Sequence, residues 1–255
     1  MGDVKQQLKD LGVCVIIPTY NNVGTIMQVV ESVSAYCEDI IVVCDGPTDG
    51  TTELVKNSAI PKAIVAYEPN KGKGTALSMG FRKAMELGFR YSITLDSDGQ
   101  HYASDIPVFA KALAQHPGSL IIGSRGLQHD NMPQRNTFAN KFSNFWFTVQ
   151  TAKRLPDTQT GFRLYPLEKM GKMRLITSRY EAELELLVRS AWRNIDIVPI
   201  PINVYYPPEN ERISHFRPFQ DFGRISLLNT FFCFAAILYG YPSMLVRKIV
   251  SRLKR

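Results

Sequence analysis

Cysteine is scarce in this chain, and its four residues, Cys14, Cys37, Cys44 and Cys233, form no C-x-x-C pair. Two of them sit in apolar, strand-like runs. They read as small buried hydrophobes in a reducing compartment, not as a disulfide framework or a zinc site. An apolar leader run is also missing. MGDVKQQLKDLG is polar and charged, so no signal peptide is expected and the cytoplasm is the expected compartment. The sixth residue is Gln6 rather than Ser or Thr, which removes the myristoylation reading that Gly2 invites. Internal repeats and low-complexity tracts are absent. So are RNP, helix-turn-helix and zinc-finger patterns, and nucleic-acid binding is not expected.

What is present is an ordinary globular balance, 45% hydrophobic and 21% charged over 255 residues. That length suits one large domain, or a domain with an appendage, and a core that needs no staples. The net charge of +7 suits a polyanionic partner such as a phosphorylated ligand or an anionic membrane surface.

Apolar runs alternate with helical patterns through the first half. Strands are expected at Val13–Ile17 (ended by Pro18), Asp39–Cys44, Ala63–Tyr67, Tyr91–Leu95 and Ser119–Ile122. Helices are expected at Val23–Tyr36, Gly50–Asn57, Thr75–Leu87 and Asp105–Gln115. Fully apolar strands separated by helices predict an α/β fold with a mostly parallel sheet covered on both faces. Ligands of such sheets bind beyond the carboxyl ends of the strands. Those ends read PTYNN, DGPTDGT, DSDGQH and GSR. Further on, Leu127–Arg135 reads as a mobile loop, Asn136–Lys153 and Arg179–Arg193 as helices, and Ile195–Tyr206 as strand.

Asp96 and Asp98 follow the fourth strand. Residues two apart in an extended segment face one side, and two carboxylates there can hold a hard cation. The same residues also read as an Asx turn. Gln100 and His101 are close enough to join or support such a site. Asp45 is a candidate ligand for a base or a ribose, whereas Asp49 reads mainly as a helix cap. Asn70–Gly74 joins a strand to a helix and offers glycines and lysines to an anion, or makes an ordinary turn. Arg125, Arg135 and Arg163 are the arginines placed to face the crevice; each also reads as a solvated surface residue. The aromatic stripe of 136–153 reads as core.

PTYNN, DGPTDGT, NKGKGTAL, DSDGQH and TGFR occur in that order. Together they resemble glycosyltransferase family 2, and most closely its polyprenyl-phosphate (dolichyl-phosphate) mannose and glucose synthases. The resemblance covers about 13–206. It implies a GT-A fold and inverting sugar transfer from a UDP- or GDP-linked donor with Mg2+ or Mn2+. Pro18, Tyr20 and Asp45 would line the nucleoside pocket, with Asn22, Lys73 and Ser97 completing the donor site. Asp96, Asp98 and Gln100 would serve the metal and diphosphate. Arg125 and Arg135 match positions that hold acceptor phosphate or donor. Asp157–Arg163, with Gln159, Gly161 and Arg163, matches the loop closing the acceptor side. Asn22 stands where the family often has Glu, and Cys44 where it often has Asp.

A phosphate acceptor is already ionised and needs no general base; a hydroxyl acceptor needs one. Asp157 is then the base candidate, with Glu181 and Glu183 further ones, unless the glutamates form a solvated helix face. The lipid-phosphate reading leads. A saccharide acceptor, or a non-catalytic nucleotide-binding protein, are the alternatives.

Residues 1–12 read as a lead, 13–206 as the GT-A domain and 207–255 as a helical tail. Ile225–Val246 is mostly apolar, with Pro242 expected to divide it, and basic residues follow. It would lie on the cytoplasmic face of a membrane, span it, or pack on the domain or a second subunit of a homo-oligomer. Arg212, His215 and Arg217 could reach headgroups.

Overall fold

A computed structural model describes residues 2–60, 63–125, 134–171, 173–206 and 218–253, with the side chains of 134–138 and 218–219 outside that description. Residues 127–133 of the expected loop Leu127–Arg135, and the basic residues Arg212, His215 and Arg217, fall outside the described residues; 134–135 already belong to a helix, Gln134–Thr151.

Seven strands form one sheet in the order β3-β2-β1-β4-β6-β5-β7. They are β1 Val13–Thr19, β2 Ile40–Asp45, β3 Ala63–Tyr67, β4 Tyr91–Thr94, β5 Leu120–Arg125, β6 Arg163–Pro166 and β7 Ile197–Ile202. Every pairing is parallel except those of β6, which runs antiparallel to β4 and β5. The helices are α1 Gly2–Leu11, α2 Ile26–Ser34, α3 Thr51–Lys56, α4 Lys73–Glu86, α5 Ile106–Gln115, α6 Gln134–Thr151, α7 Leu167–Met170, α8 Glu181–Trp192, α9 Pro218–Ala235 and α10 Tyr241–Leu253.

The side-chain period of two sorts β1 between two cores. Val13, Val15 and Ile17 pack with residues of α1, α2, α3 and α5, whereas Cys14 and Ile16 pack with residues of α4, α8 and α9. The mostly parallel α/β expectation is met. Pro18, however, does not end β1: it pairs with Val43, and the strand runs on to Thr19. Its missing N–H is tolerated because β4 pairs only as far as Ile16, so no donor is called for on that side. The first twelve residues are not a mere lead. Leu8 is 1% exposed, with Val4 and Leu11 packed against the same core, as their i, i+4, i+7 spacing dictates.

The tail is one helical run, not two. Pro242 sits at the second position of α10, and the residues before it, Ala236–Gly240, form a π-helical turn. Widening the turn accommodates the carbonyl that the proline ring cannot bond. Leu228, Phe232 and Ala236 are buried in the domain core. Trp192 stacks edge-on against Phe232 at 5.3 Å and Tyr239 at 6.0 Å. The opposite face carries Leu227, Phe231, Phe234, Leu238 and Leu245, all exposed. By length and composition, Gln220–Leu253 is long and apolar enough to cross a membrane.

Candidate active site

The strand order reverses at β1, whose neighbours β2 and β4 leave in opposite directions along the sheet. A crevice of about 590 Å³ opens beyond the carboxyl ends of these strands, where the topology of open α/β sheets places ligands. Pro18, Tyr20 and Asn22 reach it from β1 and the loop that follows, and Asp45 from β2. Lys73 comes from α4, and Asp96, Ser97, Asp98 and Gln100 from the loop after β4. All nine donor-side candidates therefore share one cavity. Arg179 and Tyr180, just before α8, also line it. Sequence reasoning placed them only at the start of a helix.

Side-chain bonds fix the walls. Asn22 is buried and donates from Nδ2 to Ser97 Oγ at 2.8 Å, and Thr25 Oγ1 donates to the Ser97 carbonyl at 2.6 Å. The amide that stands in place of the family's usual Glu thus ties the first loop to the β4 loop. The N-cap of α3 is Gly50 rather than the expected Asp49; Asp49, one residue earlier, accepts from the N–H groups of Thr51 and Val23, both at 3.0 Å.

Asp45 also has a structural task. Its buried carboxylate accepts from Asn70 Nδ2 at 2.9 Å, from the Lys71 N–H at 2.7 Å and from the Gly72 N–H at 2.8 Å. These bonds tie the end of β2 to the loop that carries Lys73, while Asp45 also lines the crevice, where the nucleoside expectation put it. Gly46 permits this approach. Its φ is +61°, and a Cβ there would collide with the backbone N of Asn70.

Lys73 is the centre of the crevice floor. Its ammonium lies 2.7 Å from Asp96 Oδ1 and 3.0 Å from Glu183 Oε2. Burial alone would lower the Lys73 pKa, but the two carboxylates hold it above its ordinary value. Burial would likewise raise the Asp96 carboxyl; the Lys73 charge, with smaller help from His101, holds it down. Among the described residues Asp98 has no cation within ion-pair distance. Burial and then the Asp96 carboxylate push it up to about 6. Burial pushes His101 down to about 4, so its imidazole is neutral at pH 7. Gly161 closes over this centre: a Cβ there would lie 2.5 Å from Asp96 Oδ2 and 3.0 Å from Lys73 Nζ.

The donor set fits a divalent cation. Asp96, Asp98 and Gln100 offer hard oxygens in one cavity, and a cation there would offset the Asp98 charge that burial and Asp96 disfavour. Among the described residues no group of three or more His, Cys, Asp or Glu forms a protein-only cage. Mg2+-type sites often need only one or two carboxylates and take their remaining ligands from substrate phosphates.

The acceptor-side expectations change most. Asp157 is fully buried and accepts from Arg125 Nε at 2.6 Å, Arg125 Nη2 at 3.0 Å and the Gln159 N–H at 2.9 Å. A carboxylate so engaged is a clamp on Arg125, not an available base. Arg163 is fully buried too. Its guanidinium donates to the carbonyls of Thr160 at 2.6 Å, Glu183 at 2.7 Å and Thr158 at 3.0 Å. It staples the 157–161 loop to α8 and presents no face to an acceptor. Gln159 is exposed, and the side chain of Arg135 lies outside the described residues. The glutamates of α8 are not a solvated face. Glu181, Glu183 and Glu185 are 5%, 9% and 0% exposed. Glu183 pairs with Lys73, and Glu185 accepts from the N–H groups of Ile176 and Thr177, both at 2.9 Å.

Comparison with known proteins bears on the family and the fold. The chain is 29% identical over 220 residues to the UDP-N-acetylglucosamine–dolichyl-phosphate N-acetylglucosaminyltransferase of Methanococcus voltae, covering 78% of this chain and 88% of that protein. It is 28% identical to the undecaprenyl-phosphate mannosyltransferase of Micrococcus luteus, covering 74% and 82%. In three dimensions it resembles glucosyl-3-phosphoglycerate synthase from Mycobacterium tuberculosis, solved with Mn2+, UDP and glucosyl-3-phosphoglycerate. The TM-score is 0.68 at 18% identity, over 92% of this chain and 83% of that one. That likeness supports the GT-A fold. Residues 14–170, which carry Asp45, Lys73, Asp96 and Asp98, match the family described as "Glycosyl transferase family 2". The match spans more than half of the sequence, and the chain is a member of glycosyl transferase family 2.

Proposed function

We propose that the crevice transfers a sugar from a UDP- or GDP-linked donor to the phosphate of a polyprenyl phosphate, with inversion at the anomeric carbon. The observation that carries this reading is the convergence of Asp96, Asp98, Gln100 and Lys73 on one crevice floor. Pro18, Tyr20 and Asn22 form the wall for the nucleoside. The diphosphate lies over Lys73, whose charge and helix N-terminus both favour an anion. Mg2+ or Mn2+ held by Asp96, Asp98 and Gln100 would offset charge on the departing diphosphate.

An acceptor phosphate oxygen forms the new bond to the anomeric carbon. The bond to the donor diphosphate breaks, and the nucleoside diphosphate leaves with the electron pair. The acceptor brings its own negative charge, so no base is required. This agrees with the engagement of Asp157 by Arg125. The names of the Methanococcus voltae and Micrococcus luteus relatives point to the same class of acceptor. The exposed apolar face of α9 and α10 would bring the crevice to the membrane that holds such a lipid, on its cytoplasmic side.

The test supplies purified protein with Mn2+, a short-chain polyprenyl phosphate and, in turn, labelled UDP-glucose, UDP-N-acetylglucosamine and GDP-mannose. One donor should move its label into the organic phase, and Asp98→Asn should abolish that transfer. Label that stays out of the organic phase with every donor, but passes to a saccharide acceptor supplied in a parallel assay, would overturn the lipid-phosphate acceptor.

A further inference from the structure

A second cavity, of about 420 Å³, is lined by Lys169, Arg193, Asn194, Ile195 and Arg247. It lies at the edge of the sheet opposite the crevice, where β6 ends beside the start of β4 and the chain enters β7. Three cations converge there from α7, the end of α8 and α10, and among the described residues no carboxylate lines it. Among the described residues none of the three cations has a carboxylate partner within ion-pair distance. Arg193 donates one bond, to the Met170 carbonyl, which leaves its charge without a counterion. Like charges gathered in this way repel one another, and an anion would relieve that repulsion. Burial first, then the guanidinium of Arg189 outside the cavity, with a smaller push from Arg247, hold Arg193 below its ordinary pKa.

The long helix links the two ends. Near its start, Arg224 pairs with Glu181 at 3.8 Å, beside the crevice residue Tyr180. Near its end, Asn194 Nδ2 donates to the Met244 carbonyl at 3.0 Å, beside the basic cavity. It therefore runs along α8 from the crevice to the cavity. Its exposed residues include Leu227, Phe231, Leu245, Val246, Ile249 and Leu253, with Lys248 and Arg252 among them towards the end. A helix lying in a bilayer interface has this pattern: apolar face down, with basic side chains at headgroup level.

We infer that the Lys169–Arg193–Arg247 cavity binds the phosphate of an anionic lipid headgroup and, with the apolar face of α9 and α10, lays the domain side-on against the membrane. The occupant is a phosphate group; its source is the bilayer, not free phosphate. The inference deepens the membrane reading above. Its test needs neither donor nor acceptor, so its failure would leave the proposed reaction standing.

The experiment measures binding of the full chain to phosphatidylcholine vesicles with and without phosphatidylglycerol. Arg247→Gln changes an exposed side chain and should fold as the parent does. It should weaken binding to the anionic vesicles about fivefold, and Arg193→Gln/Arg247→Gln about 30-fold. Binding to pure phosphatidylcholine should stay unchanged. The control pair Lys9→Gln/Lys111→Gln removes equal charge from exposed positions of α1 and α5 and should lose no more than about threefold. Equal losses in the two double variants would overturn the site in favour of diffuse attraction. Inorganic phosphate that binds the parent at micromolar concentration, with vesicle binding indifferent to both arginines, would overturn the lipid source.

Discussion

Lys73 stands between Asp96 and Glu183, 2.7 Å from one carboxylate and 3.0 Å from the other. It joins the end of β4, the start of α4 and the first turn of α8 through one cation. Removing the cation leaves two carboxylates facing each other in a mostly buried site, which is far more harmful than losing a surface ion pair. Lys73→Met should therefore lower unfolding free energy by about 3–5 kcal/mol and weaken nucleotide binding. Its neighbour Lys71 is exposed, and Lys71→Met should stay within about 0.5 kcal/mol. Urea melts of both variants decide this; equal midpoints would mean that the bridge carries no stability.

Gly161 makes that site possible by lacking a side chain. Its Cβ would fall 2.5 Å from Asp96 Oδ2, so Gly161→Ala must displace either the loop or the aspartate. A misplacement of this size lowers kcat by about 100-fold. A Cβ at Gly24 would meet nothing within 4 Å, and Gly24→Ala should keep full activity. Steady-state kinetics of the two variants, with melting curves to confirm folding, separate a geometric effect from a general loss of stability.

The donor side of the site was legible in the sequence because its residues hang on strand ends. Apolar runs such as VCVII and IIVVC mark buried parallel strands, and the crevice lies where they stop. β6 was not legible. It is only four residues long, follows Gly161 closely and begins with a charged Arg163 that the fold buries whole. Nothing in DTQTGFRLY announces that it will insert antiparallel between β4 and β5. For Glu181 and Glu183 the sequence left a base and a solvated helix face open, and the spacing already argues against the second. Glu181, Glu183 and Glu185 are spaced by two, and on a helix each such step turns about 200°. Three residues so placed cannot share one narrow solvated face, and in fact all three are buried.

Arg125 and Asp157 give stability a specific pH dependence. Burial would raise the Asp157 carboxyl, but the Arg125 hydrogen bonds and charge hold it below the usual carboxylate range. A carboxyl depressed on folding contributes fully above its unfolded value of about 4 and loses that contribution as pH falls through its lower folded value. Asp157→Asn should lower stability by about 3 kcal/mol at neutral pH. It should also flatten the decline in stability as pH falls below about 4. Parallel acid-limb profiles for the two proteins would show that Asp157 does not supply this contribution.

Gly240 sets how closely the tail lies on the domain. A Cβ there would sit 2.5 Å from the Trp192 indole, whose Nε1 donates to the Gln150 carbonyl at 2.8 Å. Gly240→Ala should push the helix away and open Trp192 to water. In a Trp146→Phe background, which leaves Trp192 as the only indole, fluorescence should shift to the red and stability should fall by about 1–3 kcal/mol. An unchanged spectrum would show that the contact yields without moving the ring.

Asp98 supplies a test of the metal that does not depend on knowing the sugar. Burial and the neighbouring Asp96 carboxylate raise its pKa to about 6, so below that pH a proton competes with a cation for the same oxygens. Binding then releases one proton, and affinity for Mn2+ in the presence of UDP should fall about tenfold for each pH unit below 6. Above about 7 it should level off, because Asp98 is already ionised there. Asp98→Asn should bind Mn2+ weakly and lose this slope, since no proton remains to compete at that position. Titration calorimetry from about pH 5 to 8 distinguishes the cases. A flat profile in the parent protein would remove Asp98 from the metal site and leave Asp96, already held by Lys73, as its sole carboxylate.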